Sequence, residues 1–306
     1  MIKKYIKEYR SPVITILFYA FFIIYIQQTN ENFLQLLQLL PVRIVFLIVG
    51  LRIFKLIINS QINKKIFDNL NNEITYFDHF RINYFNTFLN SIGPVVVGGG
   101  YRLDSYVRKM KIKLLDYVSI SIGFTFYCII SYVYILFSIL FLKNYSDNFG
   151  SIFLIVSLSF LFLLLVLFVR YCLKLQIFIK SKNLNKISYG FSKLFENKKN
   201  LLSIFLLHSS TIVVTSISIF LISYTFIEKA TFLDSISFTV LTAVGSFVGL
   251  TPGGIGISEM LIHLSNLWRS YPLETIFYIS LLNRATSLLA ILILYYPIEK
   301  RFIDLN

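Results

Sequence analysis

Long apolar runs alternate along the chain with short polar breaks, at a spacing that suits helices crossing a bilayer. Continuous apolar sequence fills residues 12–26, 39–58, 117–142, 152–173, 201–227 and 276–297. About 20 such residues make a helix that spans the hydrocarbon layer. Two shorter runs, 77–97 and 235–250, each end in a cluster of helix breakers. The first meets Pro94 and then Gly98, Gly99 and Gly100; the second meets Pro252, Gly253, Gly254 and Gly256. Broken backbone at membrane depth is stable only where it packs inside protein or lines a wet cavity. The pattern therefore predicts an all-α polytopic membrane protein, with about six full transmembrane helices plus two broken re-entrant elements. Residues 1–306 read as a single integral membrane domain.

The order of these elements predicts an inverted repeat. Residues 39–142 and 201–298 each read as span, broken element, span, and residues 143–200 link them. Pro94 is followed by glycines and Arg102, Pro252 by glycines and Glu259, and an acid (Asp116 or Glu274) precedes the next span. Many transporters use such repeats, with discontinuous helices meeting near the midplane. The competing expectation makes both short runs ordinary spans, for eight helices without re-entry. Residues 101–116 hold six charged groups in their first thirteen positions and cannot cross. With Leu103, Val107, Met110 and Leu114 at spacings of three and four, they predict an amphipathic helix at the inner interface.

Composition strengthens the membrane reading, and charge orients it. Hydrophobic residues make up 56% of the chain and charged residues 14%, a balance foreign to soluble domains. The net charge of +14 is unevenly placed. Residues 170–200 hold eight cations against Glu196, and Lys3, Lys4, Lys7 and Arg10 outnumber Glu8 near the start. Residues 27–38, 143–150 and 228–234 carry almost no excess positive charge. This asymmetry predicts a multi-pass protein of the cytoplasmic membrane with both termini on the cytoplasmic side. There the lysines meet anionic headgroups, and nucleic acid is not an expected partner. Residues 27–30 make a poor cleavage site, so the first span reads as retained. Cys128 and Cys172 fall inside predicted spans, and His79, His208 and His263 are dispersed. Without metal-ligand spacing, a nucleotide loop or a catalytic constellation, the expectation is no metal, no cofactor and no enzyme activity.

The chemistry concentrates at the breaks and at charges inside spans. Gly253, Gly254 and Gly256 free backbone N–H groups, and a helix starting near Ile257 adds its unpaired donors and positive dipole end. Together they suit a phosphate or carboxylate. Glu259 lies in the same field and has three open readings: it stabilises the helix start, pairs with a buried arginine, or binds a coupling proton or cation. His263, one turn further, would suit a proton relay. Asn283 and Arg284 lie within the last span, where a cation must face protein or water; Ser280 and Ser287 are placed to satisfy Asn283. Arg52, one turn from Lys55, and Arg102, after the first break, are candidates for a buried anion site. Arg108, Lys109, Lys111 and Lys113 form an interfacial basic face. The patch His208 to Thr211 is expected to make helix–helix hydrogen bonds.

These residues resemble the flippase-like membrane domain of lysylphosphatidylglycerol synthases, a family also found as stand-alone proteins near glycosyltransferase and polysaccharide genes. Pro252, Gly253, Gly254, Gly256 and Glu259 match its Pro-Gly-Gly-x-Gly-x-x-Glu signature, and Arg284 the arginine of its last conserved helix. Pro94, Gly98, Gly99 and Arg102 are similar to its first-half element, although Gly100 stands where the family often has an acid. The soluble aminoacyl-transfer domain is absent from the sequence, so aminoacyl-lipid synthesis is not expected of this chain. The resemblance implies a flippase or translocase of an anionic phospholipid or a lipid-linked glycan. Arg52, Arg102, Asn283, Arg284, Glu259 and the 252–256 backbone would hold the headgroup while the halves rock around it. The other expectation is a non-transporting membrane partner of a glycosyltransferase or lipid-modifying enzyme, docked through residues 170–200.

Overall fold

The computed structural model describes residues 40–67, 70, 74–92, 95–144, 198–227, 229–247, 257–265 and 271–303. Every regular element among them is helical: α1 (Val42–Phe67), α2 (Tyr76–Ile92), α3 (Val95–Asp104), α4 (Leu114–Asn144), α5 (Lys198–Phe226), α6 (Phe232–Phe247), α7 (Ile257–Leu264) and α8 (Leu273–Ile303). A π-helical turn, Ser105–Lys109, extends α3.

Three of these helices are long and apolar enough to cross a membrane: Leu114–Ile139 in α4, Leu202–Phe226 in α5 and Glu274–Tyr295 in α8. At about 1.5 Å per residue they reach roughly 33–39 Å, against a hydrocarbon layer of about 30 Å. Phe126, Val133 and Phe137 on α4, Leu206 and Val213 on α5, and Leu292 and Ile293 on α8 are exposed, as lipid-facing side chains are. The predicted span 39–58 falls in α1, which runs on to Phe67 and is not one of the three. Predicted spans 12–26 and 152–173 lie outside the described residues, as does nearly all of the basic stretch 170–200.

The two shorter helices begin alike. At α2, the Thr75 N–H and hydroxyl both donate to Asp78 Oδ2 (3.1 and 2.6 Å), and the Asp78 N–H donates back to Thr75 Oγ1 at 3.3 Å. At α6, Thr231 and Asp234 repeat the arrangement at 3.1, 2.7 and 3.2 Å. Each is a reciprocal capping box that satisfies N–H groups left open by the first helical turn. Tyr271, just before α8, also hydrogen-bonds Asp234; burial first, then that carboxylate, raise its phenol above the ordinary range. Thr231→Ala removes the second cap, and a loss of about 1 kcal/mol is expected. Thermal unfolding in detergent measures it, and an unchanged midpoint would show that the box contributes nothing.

Both capped helices are followed by a short one. The 17 residues of α2 and 16 of α6 extend about 24–26 Å, short of a full crossing. In the second half α7 packs back on α6: a Cβ at Gly245 would lie 2.6 Å from Ser258 Oγ and 2.8 Å from its Cα. The Ser258 hydroxyl donates to the Thr242 carbonyl at 3.4 Å. In the first half the small residue sits on the short helix instead. A Cβ at Gly98 would overlap the Asn90 side chain and the Asn86 carbonyl, whereas Gly99 and Gly100 have open space.

The predicted amphipathic helix 101–116 is not continuous. It breaks between the π turn and α4, where Lys111 has φ 56° and carbonyls of Ser105 and Tyr106 accept from Met110 N–H (3.1 Å) and Ile112 N–H (3.0 Å). Tyr106, fully buried, drives the break: its ring stacks at 4.4 Å on Phe67 and its hydroxyl meets His79 Nδ1 at 2.8 Å. Arg108, Lys109, Lys111 and Lys113 are exposed, as the basic face requires.

The chain divides into two compact units, one of Met1–Ile57, Phe80–Arg102 and Ile212–Asn306, the other of Ile58–His79 and Leu103–Thr211. In the first, polar contacts tie three helices pairwise. Asn83 Nδ2 of α2 donates to the Leu56 carbonyl of α1 at 3.2 Å, and the Tyr84 hydroxyl donates to the Ile291 carbonyl of α8 at 2.9 Å. Arg52 of α1 donates to Asn283 of α8. Apolar packing of Tyr84, Ile291 and Ile298, with Phe80, Phe85, Phe88 and Leu294, fills the space beside them. In the second unit, Phe67, Tyr106 and Tyr117 stack, and Phe124, Tyr127 and Tyr132 surround buried His208. In the 208–211 patch, where cross-helix hydrogen bonds are expected, Ser210 and Thr211 make local ones. Their hydroxyls donate to carbonyls of Leu206 and His208 in their own helix, at 2.8 and 2.7 Å. Further along α5, in the first unit, the Ser216 hydroxyl donates across to Thr239 of α6 at 3.0 Å.

Candidate functional site

The first unit gathers the charges that a bilayer would reject. Because α7 starts at Ile257, Glu259 falls in its first turn, 1% exposed. Ser280 and Arg284, four apart on α8, share one face of that helix. Arg284 Nη2 donates to Glu259 Oε1 at 2.7 Å, and the Ser280 hydroxyl donates to the same oxygen. Arg284 Nε donates in turn to Ser280 Oγ at 3.3 Å. Of the three readings open for Glu259, the carboxylate makes the pair with a buried arginine.

Arg52 is placed differently. Its side chain, 5% exposed, donates through Nη2 to the neutral amide oxygen of Asn283. The buried Nε has no hydrogen-bond partner among the described residues. Lys55 follows three residues on and is half-buried. Among the described residues neither cation forms an ion pair, whereas Arg284 pairs with Glu259 and the exposed Arg108 with Asp104. Two cations and a buried ion pair thus share one unit, the ion pair cancelling itself and the cations left without a carboxylate.

The remaining predicted residues separate. Asn283 is not satisfied by Ser280 and Ser287 as expected: the Ser287 hydroxyl goes to the Asn283 backbone carbonyl at 2.8 Å, Ser280 goes to Glu259, and Arg52 takes the side-chain oxygen. The Glu259–His263 relay is not formed. The carboxylate reaches across to α8, while His263 Nδ1 is buried without a hydrogen-bond partner among the described residues. Arg102 stands half-buried in the last turn of α3. Gly98 serves the α2–α3 contact, and Gly99 faces open space. Pro94, Pro252, Gly253, Gly254 and Gly256 lie outside the described residues. Among the described residues no three His, Cys, Asp or Glu side chains converge as a metal site would need.

Sequence reasoning missed Ser280 as the second donor to Glu259 and the capping boxes. The i to i+4 spacing of Ser280 and Arg284, and the two Thr-x-x-Asp steps, were the available signals. No curated protein and no solved structure gives a significant match to the chain. The family model described as lysylphosphatidylglycerol synthase TM region does match, over residues 12–294. The chain therefore belongs to the lysylphosphatidylglycerol synthase transmembrane-region family, a membrane domain associated with lipid biosynthesis and translocation.

Proposed function

We propose that the protein is a translocase that carries an anionic phospholipid or a lipid-linked saccharide across the cytoplasmic membrane. The observation that carries this reading is Arg52, held inside an apolar helix bundle by a neutral amide and left without a carboxylate among the described residues. A buried cation of that kind is costly unless an anion or water meets it. In a membrane protein the abundant anion is a lipid headgroup, whose tails can stay in the bilayer while the headgroup moves through the protein. The two capped helices, too short to cross and each followed by a short helix, are the re-entrant elements that would flank such a path. Membership of a lipid-associated family supports the same substrate class. The chain would not itself make or break a covalent bond.

Reconstitution of the chain alone into vesicles, with fluorescent phospholipids and a short polyprenyl-linked sugar, tests the reading. Movement above that in empty vesicles is the expected outcome, and replacing the lysines of residues 170–200 should leave it intact. A partner of a glycosyltransferase or lipid-modifying enzyme would move nothing alone, and its cellular role would be lost with those lysines.

A further inference from the structure

We infer that Arg52 and Lys55 form the binding site for a doubly charged phosphate, a phosphomonoester or a diphosphate, rather than for the singly charged phosphodiester of an ordinary phospholipid. The inference rests on the translocase reading for its setting and on charge balance for its content. Arg284 is already neutralised by Glu259 at 2.7 Å, whereas Arg52 and Lys55 on α1 stand without such compensation among the described residues. They lie three apart on α1, and residues so spaced are neighbours on one helix face. Neither pairs with an acid among the described residues.

Asn283 sets the geometry. Its side-chain oxygen accepts from Nη2 and anchors one corner of the guanidinium, while the buried Nε has no hydrogen-bond partner among the described residues. A guanidinium held by one corner keeps donors for a forked grip on phosphate, and the ammonium adds a compact second charge. A phosphodiester oxyanion would neutralise one of the two cations and leave the other uncompensated beside it. A monoester dianion or a diphosphate neutralises both. The same chemistry is offered by a lipid, such as phosphatidic acid or a polyprenyl diphosphate, and by a soluble phosphate.

Binding to the purified full-length chain in detergent separates these cases. The probes are phosphatidic acid, a short polyprenyl diphosphate, phosphatidylglycerol and inorganic diphosphate, compared at one ionic strength. The dianionic lipids should bind about ten- to hundredfold more tightly than phosphatidylglycerol, the range expected of one added charge-assisted contact. Lys55→Met should abolish that preference, and Lys55→Arg should retain it. Lys55→Met also removes a half-buried cation with no described acid partner, so its thermal midpoint should not fall, which keeps a loss of preference from being a loss of fold. Inorganic diphosphate binding as tightly as the lipids would support the site and assign it to a soluble anion. Equal binding of phosphatidylglycerol and the dianionic lipids, or a preference that survives Lys55→Met, would overturn the inference. Vesicle transport of phosphatidylglycerol alongside equal binding would leave the translocase standing without it, while selective binding without any transport would do the reverse.

Discussion

Glu259→Ala should destabilise the folded protein by about 3–5 kcal/mol, the cost of stranding one partner of a buried ion pair. Glu259 Oε1 receives both Arg284 Nη2 and the Ser280 hydroxyl. Without it, Arg284, whose side chain is 15% exposed, loses its described carboxylate partner, and the hydroxyl loses its acceptor. The diagnostic comparison is the double variant Glu259→Leu with Arg284→Met, which deletes both charges and fills their space with apolar atoms. Buried pairs replaced as a unit are often neutral or stabilising, so the double variant should recover most of what the single one loses. Unfolding of the detergent-solubilised protein by denaturant provides the measurement. A single variant within about 0.5 kcal/mol of the native protein would place the pair in water, where ion pairs contribute little.

Gly98→Ala and Gly99→Ala should have opposite signs although they are adjacent in one helix. A methyl at Gly98 overlaps the Asn90 side chain and the Asn86 carbonyl; backbone cannot swing away, so α3 must shift off α2. Overpacking of that kind costs about 1–3 kcal/mol. At Gly99 a methyl meets nothing within contact distance, and exchanging helical glycine for alanine is worth up to about 1 kcal/mol in favour. Thermal midpoints of the two variants, read side by side, test whether α3 is held against α2 by close helix approach. Equal midpoints would refute that packing.

The contrast between these glycines shows what the sequence carried and what it did not. Three glycines in a row, Gly98 to Gly100, announce a break in the sequence, yet all three lie inside the continuous helix α3. Only tertiary packing decides that Gly98 touches a neighbour and Gly99 does not. The charges inside apolar runs were legible for a similar reason: Glu259 and Arg284 stand out against their surroundings and require a partner, and each has the other. The Arg52–Asn283 contact bridges residues 231 apart, and no local pattern reports such a pairing. The interfacial helix failed for a different reason. Its three–four spacing runs from Leu103 to Leu114, but buried Tyr106 and the turn at Lys111 break the helix before α4. Periodicity describes a continuous helix, whereas here Tyr106 packs into a cluster of rings and Arg108, Lys109, Lys111 and Lys113 stay exposed.

The most direct test of the buried headgroup site is the rate of lipid movement in vesicles containing Arg52→Gln, set beside its thermal stability. Glutamine keeps a donor for Asn283 and deletes the charge. The expected result is a split: a midpoint equal to or above that of the native protein, because an unpaired buried cation is gone, and lipid movement reduced to that of empty vesicles. Native transport by a well-folded Arg52→Gln protein would contradict the site, since the headgroup would then be passing without the cation placed to receive it.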